Sequence, residues 1–163
     1  MSWSIIILSL VAVQRLLELV LARRNTAKLL ASGAHEVGAT HYPLIVGFHA
    51  AWLLGLFWLA RGAEVDWFII AGFVILQGLR LWVLATLGER WTTRILIVPG
   101  EKLVARGPYR FFSHPNYAVV AAEIFILPLA FGLYGYAIVG GLINLAILRL
   151  RISVENRALR GDN

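Results

Sequence analysis

Cysteine is absent from the 163 residues, which removes disulfides, thiolate metal sites and cysteine nucleophiles and leaves the redox compartment undecided. Charge is scarce as well: Asp, Glu, Lys and Arg make up 15% of the chain, against about 25% in soluble domains. No repeat, low-complexity tract or linker interrupts it, so residues 1–163 read as one domain. What fills the chain is apolar, 60% hydrophobic with a mean hydropathy of +0.76. A bilayer is its natural solvent.

A helix needs about 20 apolar residues to cross the hydrocarbon core, and residues 2–22, 43–60 and 67–87 supply runs of that length. Two shorter runs, 117–132 and 135–150, flank the turn-like GLYG at 132–135, and Pro128 should kink or end the first of them. The expectation is an all-α integral membrane protein of about five transmembrane helices, the last two a hairpin. The first run lacks a basic leader and a small-residue cleavage site, which marks a retained span rather than a signal peptide. Twelve Lys and Arg residues lie in the connection 23–42, the loop 88–116 and the tail from Arg149, while Arg61 stands alone on the other side. The positive-inside rule then puts the N-terminus outside and the loop and tail in the cytoplasm. The net charge of +6 faces anionic headgroups rather than nucleic acid.

Charged groups inside spans pair or line cavities. Arg15 and Glu18, three apart on one helix face, read first as a self-neutralising pair. Arg80, near the end of its span, can snorkel. Glu123 lies too deep for that and needs a partner, Arg80 or Arg15. His35, His41 and His49 lack the spacing of a metal-binding helix, and His41 with Tyr42 suits the cytoplasmic interface. No metal is expected.

The loop ends in GPYRFFSHPNYAVV, residues 107–120, where Tyr109, Arg110, His114, Asn116 and Tyr117 crowd together with two prolines. Gly107-Pro108-Tyr109 and His114-Pro115-Asn116 each restrict the backbone. Asn116 is placed to cap a helix starting near Tyr117, whose N-terminus would suit an anionic ligand group. The tail LRLRISVENRAL continues the last apolar run, with Leu148, Ile152, Glu155 and Leu159 on one helical face. A carboxylate on that stripe calls for a ligand or a cation.

KLVARGPYRFFSHPNYAVV followed after an apolar hairpin by RISVENRAL resembles the isoprenylcysteine carboxyl methyltransferase family, with its LVxxGPYxxxRHPxYxG and RIxxEExxL patterns. The N-terminal part is similar to the small bacterial branch, some of whose members O-methylate alkylpyrones and alkylresorcinols. The resemblance implies S-adenosylmethionine, held in a cytoplasmic pocket at the inner membrane. His114, Tyr117 and Glu155 would bind it, and Leu103, Val104, Gly107, Pro108 and Tyr109 would shape its cradle. Arg151 would face the methyl acceptor, a carboxylate or acidic hydroxyl on a lipophilic molecule entering from the bilayer. Arg15, Glu18, His41 and Glu123 would line the polar end of the acceptor pocket. This sequence departs from the pattern at Ser113, where relatives carry arginine and Arg110 is the candidate substitute, at Ala118-Val119, and at Asn156, in place of a second glutamate. Two other readings share the apolar pattern, a nicotinamide-dependent membrane lipid reductase and a non-catalytic lipid-binding protein.

Overall fold

The apolar runs fold into five helices: α1 (Trp3–Ala31), α2 (Tyr42–Leu59), α3 (Trp67–Leu87), α4 (Pro115–Leu129) and α5 (Tyr134–Arg160). They are seen in a computed structural model that describes residues 2–100 and 104–160. Four of the five are long and apolar enough to cross a membrane, and α4, with 15 residues, is shorter. At 1.5 Å per residue, α1 and α5 reach about 40 Å, more than the roughly 30 Å hydrocarbon core. Both therefore have length to project beyond it, and the residues gained there build the site.

Element boundaries follow local chemistry. Asp66 caps α3, its Oδ1 accepting from the Phe68 and Ile69 N–H groups at 3.0 and 3.1 Å. Asn116 does not act as the expected cap of α4. The helix begins at Pro115, whose fixed φ suits the first helical position, so His114 is the flanking residue and Asn116 falls within the first turn. Pro128 lies one residue before the end of α4. The chain then reverses at Gly132, whose φ of +69° favours glycine.

Leu8, Trp52, Leu56, Phe73, Ile124 and Leu127 pack together across four helices. Gly140 and Gly141 face Trp52 and Phe125 so closely that an added Cβ would come within 3.0 Å of each ring, so both glycines serve packing inside this chain. Large apolar residues on the outer faces, such as Leu17, Leu54, Phe68, Ile75 and Leu142, are exposed, as expected of surfaces that meet lipid. At one end Trp3 and Trp67 meet edge to face at 5.6 Å and the Arg61 guanidinium covers Trp58 at 4.4 Å, an aromatic belt.

The charges inside the bundle neutralise one another. Arg80 Nε and Nη2 donate to Glu18 Oε1 and Oε2 at 2.8 and 2.6 Å, and its Nη1 donates to Glu123 Oε2 at 3.1 Å. Arg15 Nη1 donates to Glu18 and its Nη2 to Glu123, both at 2.9 Å. Gln77 Nε2 adds a third donor to Glu123, and Gln14 bridges Gln77 and Glu18. Glu18, Arg80 and Glu123 are buried. Arg80 thus turns inward instead of snorkelling, because two carboxylates offer it four hydrogen-bonding contacts that headgroups would have to match. This clasp ties α1, α3 and α4 together.

At the opposite end from the Trp belt, two three-residue strands join the connections. β1 (His35–Val37) pairs antiparallel with β2 (Ile95–Ile97), Glu36 opposite Leu96. Arg94 Nη1 donates to both Glu36 oxygens at 2.8 and 2.6 Å and its guanidinium stacks on Tyr42 at 4.6 Å. Asn25, on the extension of α1, donates to the Gly88 and Trp91 carbonyls. The sheet and this bond fix the floor on which the loop sits.

Candidate functional site

The Gly-Pro-Tyr turn is seated by its small and rigid residues. Gly107 has φ +57° and lies so close to the Thr86 side chain that a Cβ would collide with it. Pro108 is buried, and Tyr109 packs against the cluster of Ala22, Val83 and Trp91. Burial pushes the Tyr109 hydroxyl up to about 12, and the nearby negative Glu155 pushes it the same way. Replacing Gly107 by alanine is expected to lower the unfolding free energy by about 1–3 kcal/mol, from strain at a left-handed position and the clash with Thr86. Thermal unfolding in detergent measures it.

From this turn the chain passes to α4, and α4 meets the far end of α5. Tyr117 Oη donates to Glu155 Oε2 at 2.5 Å. Arg151 Nε donates to Tyr117 Oη at 2.8 Å, and Arg151 Nη2 donates to the Thr93 carbonyl at 2.6 Å. His114 stacks on Tyr117 with ring centroids 5.4 Å apart, and its Nδ1 is 3.8 Å from Glu155 Oε2. These contacts need α5 to continue past the apolar run as far as Glu155, and it runs on to Arg160. Arg151 is buried, while Glu155 and His114 keep part of their surface open.

Asn156 is a member that sequence reading passed over as a lost glutamate. Its Oδ1 lies 3.2 Å from His114 Nε2, so the amide accepts from the imidazole and orients it. Thr93 was likewise missed; its carbonyl anchors Arg151 and its hydroxyl meets Tyr42 Oη at 2.9 Å. Arg110 is exposed and takes part in no hydrogen bond or ion pair among the described residues. Leu103 lies outside the described residues. Val104 borders a cavity of about 360 Å³ together with Leu87, Arg90, Ala105 and Arg106, a volume in the range of small-ligand sites.

The first turn of α4 has few free donors. Pro115 has no N–H, and the Tyr117 and Ala118 N–H groups both reach the His114 carbonyl. Asn116 contributes a side-chain Oδ1 that is buried without a partner, an unmet acceptor of the kind that a ligand satisfies. The residues expected for the acceptor are divided. Arg15, Glu18 and Glu123 are joined in the clasp with Arg80, whereas His41 lies apart from them, in a notch lined also by Glu36, Tyr42, Ile45, Arg94 and Arg151.

Comparison with known proteins bears on this geometry. The sequence model described as the isoprenylcysteine carboxyl methyltransferase (ICMT) family matches residues 68–161, from α3 through the loop to the end of α5. Over 165 residues the chain is 39% identical to the uncharacterized protein YpbQ of Bacillus subtilis (strain 168), with 95% of each chain covered. No solved structure matches. Because the match takes in the turn, the α4 start and the α5 tail that converge here, the chain is a membrane methyltransferase by descent and belongs to the isoprenylcysteine carboxyl methyltransferase family.

Proposed function

We propose that this protein transfers the methyl group of S-adenosylmethionine to an oxygen of a lipophilic acceptor drawn from the bilayer. Methyltransferases of the family generally use that cofactor. The observation that carries the reading is the hydrogen-bonded chain from Arg151 through Tyr117 to Glu155, which locks the family's two motifs against each other. The acceptor we favour is an alkylpyrone or phenolic lipid, with an isoprenylcysteine-like carboxylate as the alternative.

The donor set suits the cofactor. Its amino-acid end carries an ammonium and a carboxylate. The Glu155 carboxylate, part-exposed, is matched to the ammonium, and the orphaned Asn116 Oδ1 is a second acceptor for it. His114, oriented by Asn156, offers an imidazole edge, and Val104, Gly107, Pro108 and Tyr109 frame the adjoining wall. When bound, the cofactor supplies an electrophilic sulfonium methyl. The protein's task is placement, since holding two reactants in line replaces a bimolecular encounter.

Arg151 is assigned the acceptor oxygen. Its Nε and Nη2 are engaged by Tyr117 and Thr93, which fixes the guanidinium plane and leaves Nη1 to donate to a developing or existing anion. Arg15, Glu18 and Glu123 are assigned the polar boundary between the acceptor's path and the helix core; Arg15, with a quarter of its side chain exposed, is the member that reaches outward. The loop and tail are assigned to the cytoplasm and the first residue to the opposite side, from the twelve-to-one distribution of basic residues.

Incubating the purified protein with a membrane lipid extract and methyl-radiolabelled S-adenosylmethionine tests the reading. Label is expected in a lipid-soluble ether or ester. Label confined to water-soluble products would overturn it.

A further inference from the structure

Phe111 and Phe112 are 69% and 66% exposed, although they sit between two half-buried parts of the site, the Gly-Pro-Tyr turn and His114. Neither ring lines a cavity described above. Two adjacent exposed phenylalanines in a polar connection call for a partner, and their depth identifies it.

Two helices measure that depth from the same end of the bundle. The Asp66 N–H donates to the Ala130 carbonyl at 2.9 Å, which sets the start of α3 level with the end of α4, beside the Trp3 and Trp67 pair of the aromatic belt. Along α3, Thr86 lies nineteen residues beyond Trp67, a rise of about 28 Å at 1.5 Å per residue. Gly107 packs against the Thr86 side chain and so shares that height. Along α4, Pro115 lies fourteen residues before Leu129, a rise of only about 21 Å. Phe111 and Phe112 are on the segment that joins these two heights. Measured from the belt, both heights fall within the roughly 30 Å hydrocarbon core, and any tilt of either helix lowers them.

Local bonding suits that place. Irregular backbone is costly in lipid unless its polar groups are satisfied within the chain. The Phe111 and Phe112 N–H groups both donate to the Pro108 carbonyl at 3.1 Å, and Pro115 has no N–H to satisfy. The same bonds keep the segment folded on its 3-10 turn, so it does not arch away from the bundle. Arg110, exposed just before the two rings, has a stem long enough to carry its charge up to lipid phosphates. We propose that Phe111 and Phe112 form a wedge in the bilayer, seated among the acyl chains just below the headgroups of the leaflet on the loop's side, with Arg110 at the phosphate level. The inference stands independently of the methyltransferase reading. To that reading it adds a place of encounter: His114 and Tyr117 follow the wedge by two and five residues, so a lipophilic acceptor reaches them without lifting its polar end out of the leaflet.

Because the chain has no cysteine, a single one can be added and labelled. Phe111→Cys and Phe112→Cys, each carrying a nitroxide and each keeping the other ring, are reconstituted as the full chain in vesicles of phosphatidylcholine and phosphatidylglycerol. Collision of the nitroxide with oxygen, which concentrates among acyl chains, is compared with collision with a water-soluble nickel chelate. Leu54→Cys, at an exposed position of α2, is the lipid reference. Ser32→Cys, just past the end of α1 and about 43 Å from its start, is the water reference. Oxygen-dominated collision close to that at Leu54 is expected at both phenylalanine positions. Nickel-dominated collision close to that at Ser32, at either position, would overturn the proposal while leaving the methyltransferase reading intact. Should one labelled variant fail to fold, the other position decides by the same two outcomes.

Discussion

Replacing Arg80 by leucine is expected to destabilise the helix bundle by about 3–5 kcal/mol. Arg80 contributes three of the hydrogen bonds to Glu18 and one of those to Glu123, and all three residues are buried. Removing it leaves two carboxylates sharing the single charge of Arg15, with only the neutral amides of Gln14 and Gln77 beside them. The damage comes from an uncompensated buried charge rather than from the net worth of the pair, so taking one carboxylate away as well should restore much of the loss. Arg80→Leu combined with Glu123→Leu keeps Arg15 opposite Glu18 at 2.9 Å and is expected to unfold at a higher temperature than Arg80→Leu alone. Thermal unfolding in a single detergent compares the three proteins. Equal transition temperatures for wild type and Arg80→Leu would show that the clasp contributes nothing. The clasp also bears on the site, because the Arg80 guanidinium lies 5.7 Å from the Trp91 ring centroid and Trp91 packs with Tyr109 of the loop.

Changing Arg151 to leucine is expected to lower methyl transfer by about 100- to 1000-fold, the range for losing one oriented donor to a developing charge. The effect on S-adenosylhomocysteine affinity should be much smaller, since Glu155 and His114 remain. Arg151→Lys is not expected to rescue the rate fully. An ammonium cannot bond Tyr117 and the Thr93 carbonyl in a fixed plane while offering a third donor to the acceptor. Initial rates with radiolabelled cofactor, beside binding titrations, separate the two effects. Transfer at the wild-type rate in Arg151→Leu would remove this residue from the acceptor site.

Much of this was legible in the sequence because polar residues are conspicuous in an apolar chain. Uninterrupted hydrophobic length announced the long helices, and the crowding of Tyr109, His114 and Tyr117 beside prolines marked the loop. Glu155 stood out as a carboxylate on an otherwise apolar stripe. The helix ends were less legible: α1 runs on to Ala31 and α4 starts at Pro115, since hydropathy reports where lipid begins and not where hydrogen bonding stops. Hydropathy was equally silent on which face of α3 carries Arg80, so inward pairing and outward snorkelling looked alike. The strands His35–Val37 and Ile95–Ile97 are too short to show an alternating pattern.

The departures from the family pattern illustrate the same limit. Asn156 looked like a loss, yet an amide oxygen accepts from His114 as a carboxylate oxygen would, without adding a charge beside Glu155. Arg110 looked like a replacement for the arginine absent at Ser113, because it lies three residues away in sequence. In the fold it is exposed, on a 3-10 turn whose buried member is Pro108.

The central claim is that the loop with the first turn of α4, which carries His114 and Tyr117, and the extension of α5 form one cofactor site. Titrating S-adenosylhomocysteine into the detergent-solubilised wild type, His114→Ala and Glu155→Ala tests it most directly. Wild-type binding with at least a tenfold loss in each variant is the predicted result, the scale of one charge-assisted hydrogen bond of about 1.5–3 kcal/mol. Wild-type affinity retained in both variants would contradict it.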